Sequence, residues 1–115
     1  MKRPLAYITF AASEEPITDL ENAINYSRIV YELGFSPICP LLFMPFYLDE
    51  DVPEEHKSRI DMCKDFLRRS RVVIVCGKKR DENVKNDIAT AERLHITTTT
   101  LSGILDIKDM IRIYN

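Results

Sequence analysis

Two short runs in this chain are apolar without alternation: Leu5-Ala6-Tyr7-Ile8-Thr9-Phe10-Ala11 and Val72-Val73-Ile74-Val75-Cys76, the second ended by Gly77. A strand with one wet face alternates apolar and polar side chains; one that is apolar throughout must be covered on both faces, which is the condition inside a parallel sheet. Between and after these runs lie segments with helical periodicity. From Thr18 to Gly34, Leu20, Ala23, Ile24, Ser27 and Tyr31 recur at helical intervals, with Thr18 and Glu21 at capping-box spacing and Gly34 as the stop. A second helix is predicted from the signal Asp51-Val52-Pro53-Glu54 to about Arg69, burying Ile60, Cys63 and Leu67, acidic early and basic late as the helix dipole favours. A third is capped by Asp81 and carries Val84, Ile88, Ala91 and His95 on one stripe. Further strands are expected at Phe35–Cys39, toward a sheet edge because of Pro37, and at Ile96–Leu101, with a last helix over Asp106–Tyr114.

Strands alternating with helices predict a single three-layer α/β domain spanning residues 1–115, Rossmann-like or flavodoxin-like, with about four parallel strands and helices on both faces. Composition agrees. With 45% hydrophobic and 30% charged positions the chain can bury a core, and a net charge of -2 gives no general attraction to nucleic acid or anionic membranes. No signal peptide or membrane span fits the N-terminal residues. Cys39, Cys63 and Cys76 show no CxxC spacing, which argues for buried thiols in a reducing compartment and hence a cytoplasmic protein. His56 and His95 lack partners at metal spacing and are expected to be structural.

In such sheets, ligands bind at the carboxyl ends of the strands, where strand order reverses. That rule selects Phe10–Pro16, the aromatic loop Pro40–Asp51, Gly77–Asp87 and Leu101–Gly103. Neither GxGxxG nor GxxxxGK[ST] occurs, so no cofactor is expected. On the third helix Asp87 falls only about 60° from the centre of the buried stripe at Val84, where a carboxylate is partly desolvated and suited to act as nucleophile or base; a flanking ion pair is the plainer alternative. Lys78, Lys79 and Arg80, near that helix's N-terminus, are candidates to bind phosphate or simply a solvated loop. Phe43 and Tyr47 could stack on a base or pack against the core or another subunit.

The order of elements, the strand Tyr7–Ala11, the helix beginning Ile60-Asp61-Met62 and leading into Arg71–Cys76, and the pattern Asp81-x-Asn83-Val84-x-x-Asp87-Ile88-x-x-Ala91 together resemble the nucleoside 2-deoxyribosyltransferase-like superfamily. They are most similar to its short bacterial and phage branch of domains of unknown function. The resemblance implies that Asp87 is the nucleophile toward the anomeric carbon of a nucleoside or nucleoside monophosphate, that Tyr7 orients it, and that Asp81 helps hold or protonate the base. Asn83, Asp61, Phe10, Phe43, Tyr47 and Lys78–Arg80 complete the expected substrate site. Three positions depart from the family pattern: Asp87 replaces Glu, Asn83 replaces Gly, and Ala11-Ala12 stands where Gly-Pro is expected. The expectation is therefore an N-glycosidic-bond enzyme, transferase or hydrolase, or an inactive nucleotide-binding or protein-interaction module of the same fold. The small size further implies a homo-oligomer, because one domain leaves nothing to close over a substrate.

Overall fold

The computed structural model describes residues 2–114, with side-chain surroundings through Lys108. Four parallel strands form one sheet in the order β2-β1-β3-β4: β1 is Leu5–Thr9, β2 Ser36–Ile38, β3 Val72–Val75 and β4 Thr97–Thr100. The helices are α1 (Pro16–Glu32), α2 (Pro53–Arg69), α3 (Glu82–Arg93) and α4 (Leu101–Tyr114). The central strands β1 and β3 pair in register Ala6 with Val72 through Thr9 with Val75. Pro37 lies in β2, which is an edge strand as its missing N–H requires.

The two faces of the sheet are separate cores. Ala6, Ile8, Val72 and Ile74 pack against Ala23 and Val30 of α1 and Leu101 of α4. Tyr7 and Val73 pack against Leu67 of α2 and Ala91 of α3. This division follows from right-handed crossovers. The chain leaves β1 outward to β2 through α1, then returns past β1 to β3 through α2. Reversing direction at constant handedness moves the connecting helix to the opposite face. Beyond the sheet, no helix among the described residues is long and apolar enough to cross a membrane.

Several boundaries differ from expectation for identifiable reasons. Helix α1 starts at Pro16 rather than at a Thr18 cap, because the fixed backbone angle of proline suits a first helical position; Thr18 Oγ1 instead donates to Glu15 Oε2 at 2.9 Å. His95 is not the end of the apolar stripe. It lies past α3, exposed, at a positive φ of 56°, and closes the helix: its N–H donates to the Glu92 carbonyl and that of Ile96 to the Ala91 carbonyl. Gly34 ends α1 by the same pair of bonds at φ 99°, to Tyr31 and, through Phe35, to Val30. Helix α4 begins at Leu101, five residues earlier than expected, because Thr100 Oγ1 accepts from Gly103 N at 3.0 Å and caps it. The segment Pro40–Val52 is not an open loop throughout. It contains two short 3-10 turns, Pro40–Leu42 and Met44–Phe46, and inserts Met44 fully into the interior.

Candidate functional site

Strand order reverses between β1 and β3, so the connections leaving their carboxyl ends diverge and open a crevice. A cavity of about 440 Å³ occupies it. Three of the four segments selected from the sequence contribute to it: Phe10 and Ala12 after β1, Pro40, Leu41, Met44, Pro45 and Glu50 after β2, and Asn83 with Asp87 after β3. Helix α2 adds His56, Arg59 and Cys63. The β1–α1 connection beside it is pinned by Asp19, buried in the first turn of α1. Its carboxylate accepts from Ser13 N twice at 3.0 Å and from Ser13 Oγ at 2.8 Å.

At the centre is Asp87. On α3, Val84, Thr90 and Ala91 are buried, and Asp87, three residues from each of the first two, flanks that face. Its Oδ2 accepts a hydrogen bond of 2.7 Å from Thr9 Oγ1, across 78 residues of sequence. Among the described residues Oδ1 has no protein donor. Burial pushes the Asp87 carboxyl up to about 6 from the ordinary 3.8; the Thr9 bond and the positive charge of Arg59 oppose the rise, while Asp81 adds to it. The group is thus mostly ionised at neutral pH yet poorly solvated, as a carboxylate nucleophile or base requires.

Tyr7 and Thr9 are two apart on β1 and so face the same side of the sheet, toward α2 and α3. Tyr7 lines the cavity at 3% exposure. Its hydroxyl is pushed well above the usual phenol range, first by burial and then by the negative charge of Asp87. The hydrogen bond that orients Asp87 comes from Thr9, not Tyr7. Thr9 was legible as the next same-face residue after Tyr7, but nothing local marks it as more than a strand residue.

Across the cavity, Glu50 holds both His56 and Arg59: one carboxylate oxygen lies 2.5 Å from His56 Nδ1 and the other pairs with Arg59 Nε. His56, expected to be structural, lines the cavity. The signal that places it in the site is spacing, since His56, Arg59 and Cys63 recur at intervals of three and four on the face of α2 that includes Ile60. Cys63 is half-buried, with its thiol 3.9 Å from Met44 Sδ. The other two thiols are buried; Cys39 lines the cavity and is pushed up to about 11, and Cys76 up to about 12, both chiefly by burial.

The remaining expected site residues lie elsewhere. Asp81 is the N-cap of α3, its Oδ1 accepting from Val84 N at 2.9 Å. Asp61 is on the exposed side of α2. Phe43 packs edge-on against Phe66, ring centres 5.7 Å apart, and Tyr47 is 57% exposed beside the cavity rim. Lys78 and Lys79 are exposed, and Arg80 folds onto its own loop, donating to the Gly77 and Lys79 carbonyls at 2.7 and 3.1 Å. None of these lines the cavity, whereas Tyr7, Phe10, Asn83 and Asp87 do. Among the described residues no cluster of three or more His, Cys, Asp or Glu side chains is placed to hold a metal.

The sequence from β1 to the start of α4 decides the family. The chain belongs to the family described as domain of unknown function (DUF7768), which it matches over residues 4–101. Comparison with curated proteins finds no match. The DUF7768 span contains all four strands and every residue that lines the cavity, so the cavity belongs to the family's own domain.

Proposed function

We propose that this cavity processes the N-glycosidic bond of a nucleoside or nucleotide, with Asp87 as nucleophile. The observation that supports the reading is a half-buried carboxylate, fixed at one oxygen by Thr9 and raised to about 6, facing an apolar cavity at the strand-order reversal. Asp87 Oδ1 attacks the anomeric carbon; the bond to the base breaks and its electron pair leaves on the base nitrogen. The sugar is held as an ester of Asp87 until water releases it, or a second base in a transferase. The leaving base takes its proton from Nε2 of the imidazolium form of His56, which the Glu50 carboxylate stabilises from Nδ1 and which returns to neutral as the proton leaves. Asp81, to which the resemblance assigned that task, is engaged at the helix cap.

Free base measured by chromatography after incubation with a panel of nucleosides and 5′-monophosphates tests the proposal. Release that Asp87→Ala abolishes is expected; no release from any member, or release indifferent to that substitution, would sink it. The shorter reach of Asp relative to Glu favours a second reading, a module that binds nucleotides without turnover. Calorimetric binding with no base released would select it. A homo-oligomer belongs to the same proposal, since Phe46 and Tyr47 leave large rings exposed next to the cavity-lining Pro45. Light scattering on the purified protein checks it, and a mass of one chain overturns it.

A further inference from the structure

The apolar cavity does not end at Asp87. A second cavity of about 350 Å³ lies between α2 and α3, and Tyr7, Arg59, Cys63, Asn83 and Asp87 line both. The two differ in chemistry. The first is lined by groups such as Ile8, Phe10, Leu41 and Met44; the second by Arg59, Lys64 and Arg93, with Asn86 and Thr90 alongside. A groove between two packed helices is ordinarily filled by apolar side chains. Here α3 instead directs Asn83, Asn86, Asp87, Thr90 and Arg93, at intervals of three and four, along it. Arg59, Lys64 and Arg93 stand against one carboxylate, Asp87, in the lining, and of the three only Arg59 has a carboxylate partner, Glu50. Among the described residues neither Lys64 nor Arg93 has a carboxylate within ion-pair distance; the contact of Arg93 is with Thr90 Oγ1 at 3.2 Å. Uncompensated cations beside a polar stripe suit a dianion, and guanidinium groups match phosphate geometry.

We propose that this second cavity is a phosphate subsite and that the ligand is a nucleoside monophosphate. Its base occupies the apolar cavity, its sugar lies at Asp87, and its phosphate sits among Arg59, Lys64 and Arg93. The assignment rests on the reading of Asp87 as the group that meets the sugar. It moves the phosphate contact from Lys78–Arg80, on the loop before α3, to the groove between α2 and α3.

Calorimetry with nucleosides, their 5′-monophosphates, ribose 5-phosphate and inorganic phosphate tests the subsite. At least one monophosphate binds at least about tenfold more tightly than its nucleoside, and the advantage shrinks as salt is raised. Arg93→Ala and Lys64→Ala each reduce that advantage, and the double variant brings it to about one; Arg93→Lys, which keeps the charge, retains most of it. Thermal unfolding of each variant confirms a folded protein. Equal affinity for nucleoside and monophosphate, an advantage that survives in the double variant, or no binding by any member of the panel overturns the subsite. Ribose 5-phosphate or inorganic phosphate binding as tightly as the monophosphate overturns the link to the apolar cavity. Failure of the catalytic reading has a different signature: the monophosphate advantage is present and lost on substitution, but no base is released. Base release from nucleosides and monophosphates alike, without preference, removes the phosphate subsite and leaves the chemistry standing.

Discussion

Asp87 concentrates the conflict on which the proposed chemistry depends. Burial disfavours its ionised form, so in the folded chain it keeps its proton up to about pH 6, whereas the unfolded chain loses it near 3.8. Between these values the folded state binds more protons, and stability falls as pH rises through the window. Above pH 6 the full penalty is present, up to about 3 kcal/mol for a shift of this size. Asp87→Asn, which keeps an acceptor for Thr9, is therefore expected to be more stable than the parent at pH 7 and to lose that advantage by about pH 4. Urea unfolding across the range measures this, and a parallel pH dependence in the two proteins would refute it. Thr9→Val removes the donor that holds the carboxylate down, so the titration of Asp87 moves above 6 by about one pH unit, while Thr9→Ser restores it. A pH–rate profile or carboxyl NMR reads the shift. Asp87 was visible from the sequence because its angle on α3 is a local property. Thr9 was not, because its role depends on a partner 78 residues away.

At the scale of elements, helix α3 links stability to the site. Asp81 has two effects: its side chain caps the helix through Val84 N, and its charge contributes to the raised pKa of Asp87. The two separate on substitution. Asp81→Asn keeps a good cap and removes the charge, so the Asp87 titration falls with stability nearly unchanged. Asp81→Ala lowers the titration equally but costs about 1 kcal/mol. Equal destabilisation by both variants in chemical denaturation would contradict the capping role. Helix α2 shows what periodicity misses. Leu67, fully buried, and the half-buried Ile60 and Cys63 mark the inward face, yet the first turns of that face carry His56 and Arg59. These are polar because the helix there borders a cavity rather than the sheet. A polar residue in register with an apolar stripe is the available signal, and His56 has an acidic partner, Glu50, only six residues before it.

Across the whole molecule, the reversal of strand order divides the interior into two cores with different tasks. The α1 and α4 side holds the larger packed core and the α2 and α3 side a small one; the first cavity opens at the strand ends and is lined from both, whereas the second lies between α2 and α3. Leu67 is fully buried in that small core, packed with Tyr7, Val73 and Ala91. Leu67→Ala is expected to destabilise by about 2–5 kcal/mol in equilibrium unfolding, and a loss below about 1 kcal/mol would mean that this side is looser than described. The unbroken apolar runs of β1 and β3, the proline in β2 and the alternation with helices determined a covered parallel sheet, because these are properties of neighbouring residues and of the period of each element. Asp87 and Tyr7 as cavity residues were accessible on the same local terms, together with the family resemblance. The Thr9–Asp87 contact and the basic groove of Lys64 and Arg93 were decided only by tertiary structure. Each joins side chains from separate elements, and their meeting is set by strand order and helix docking, which no local pattern in the chain encodes.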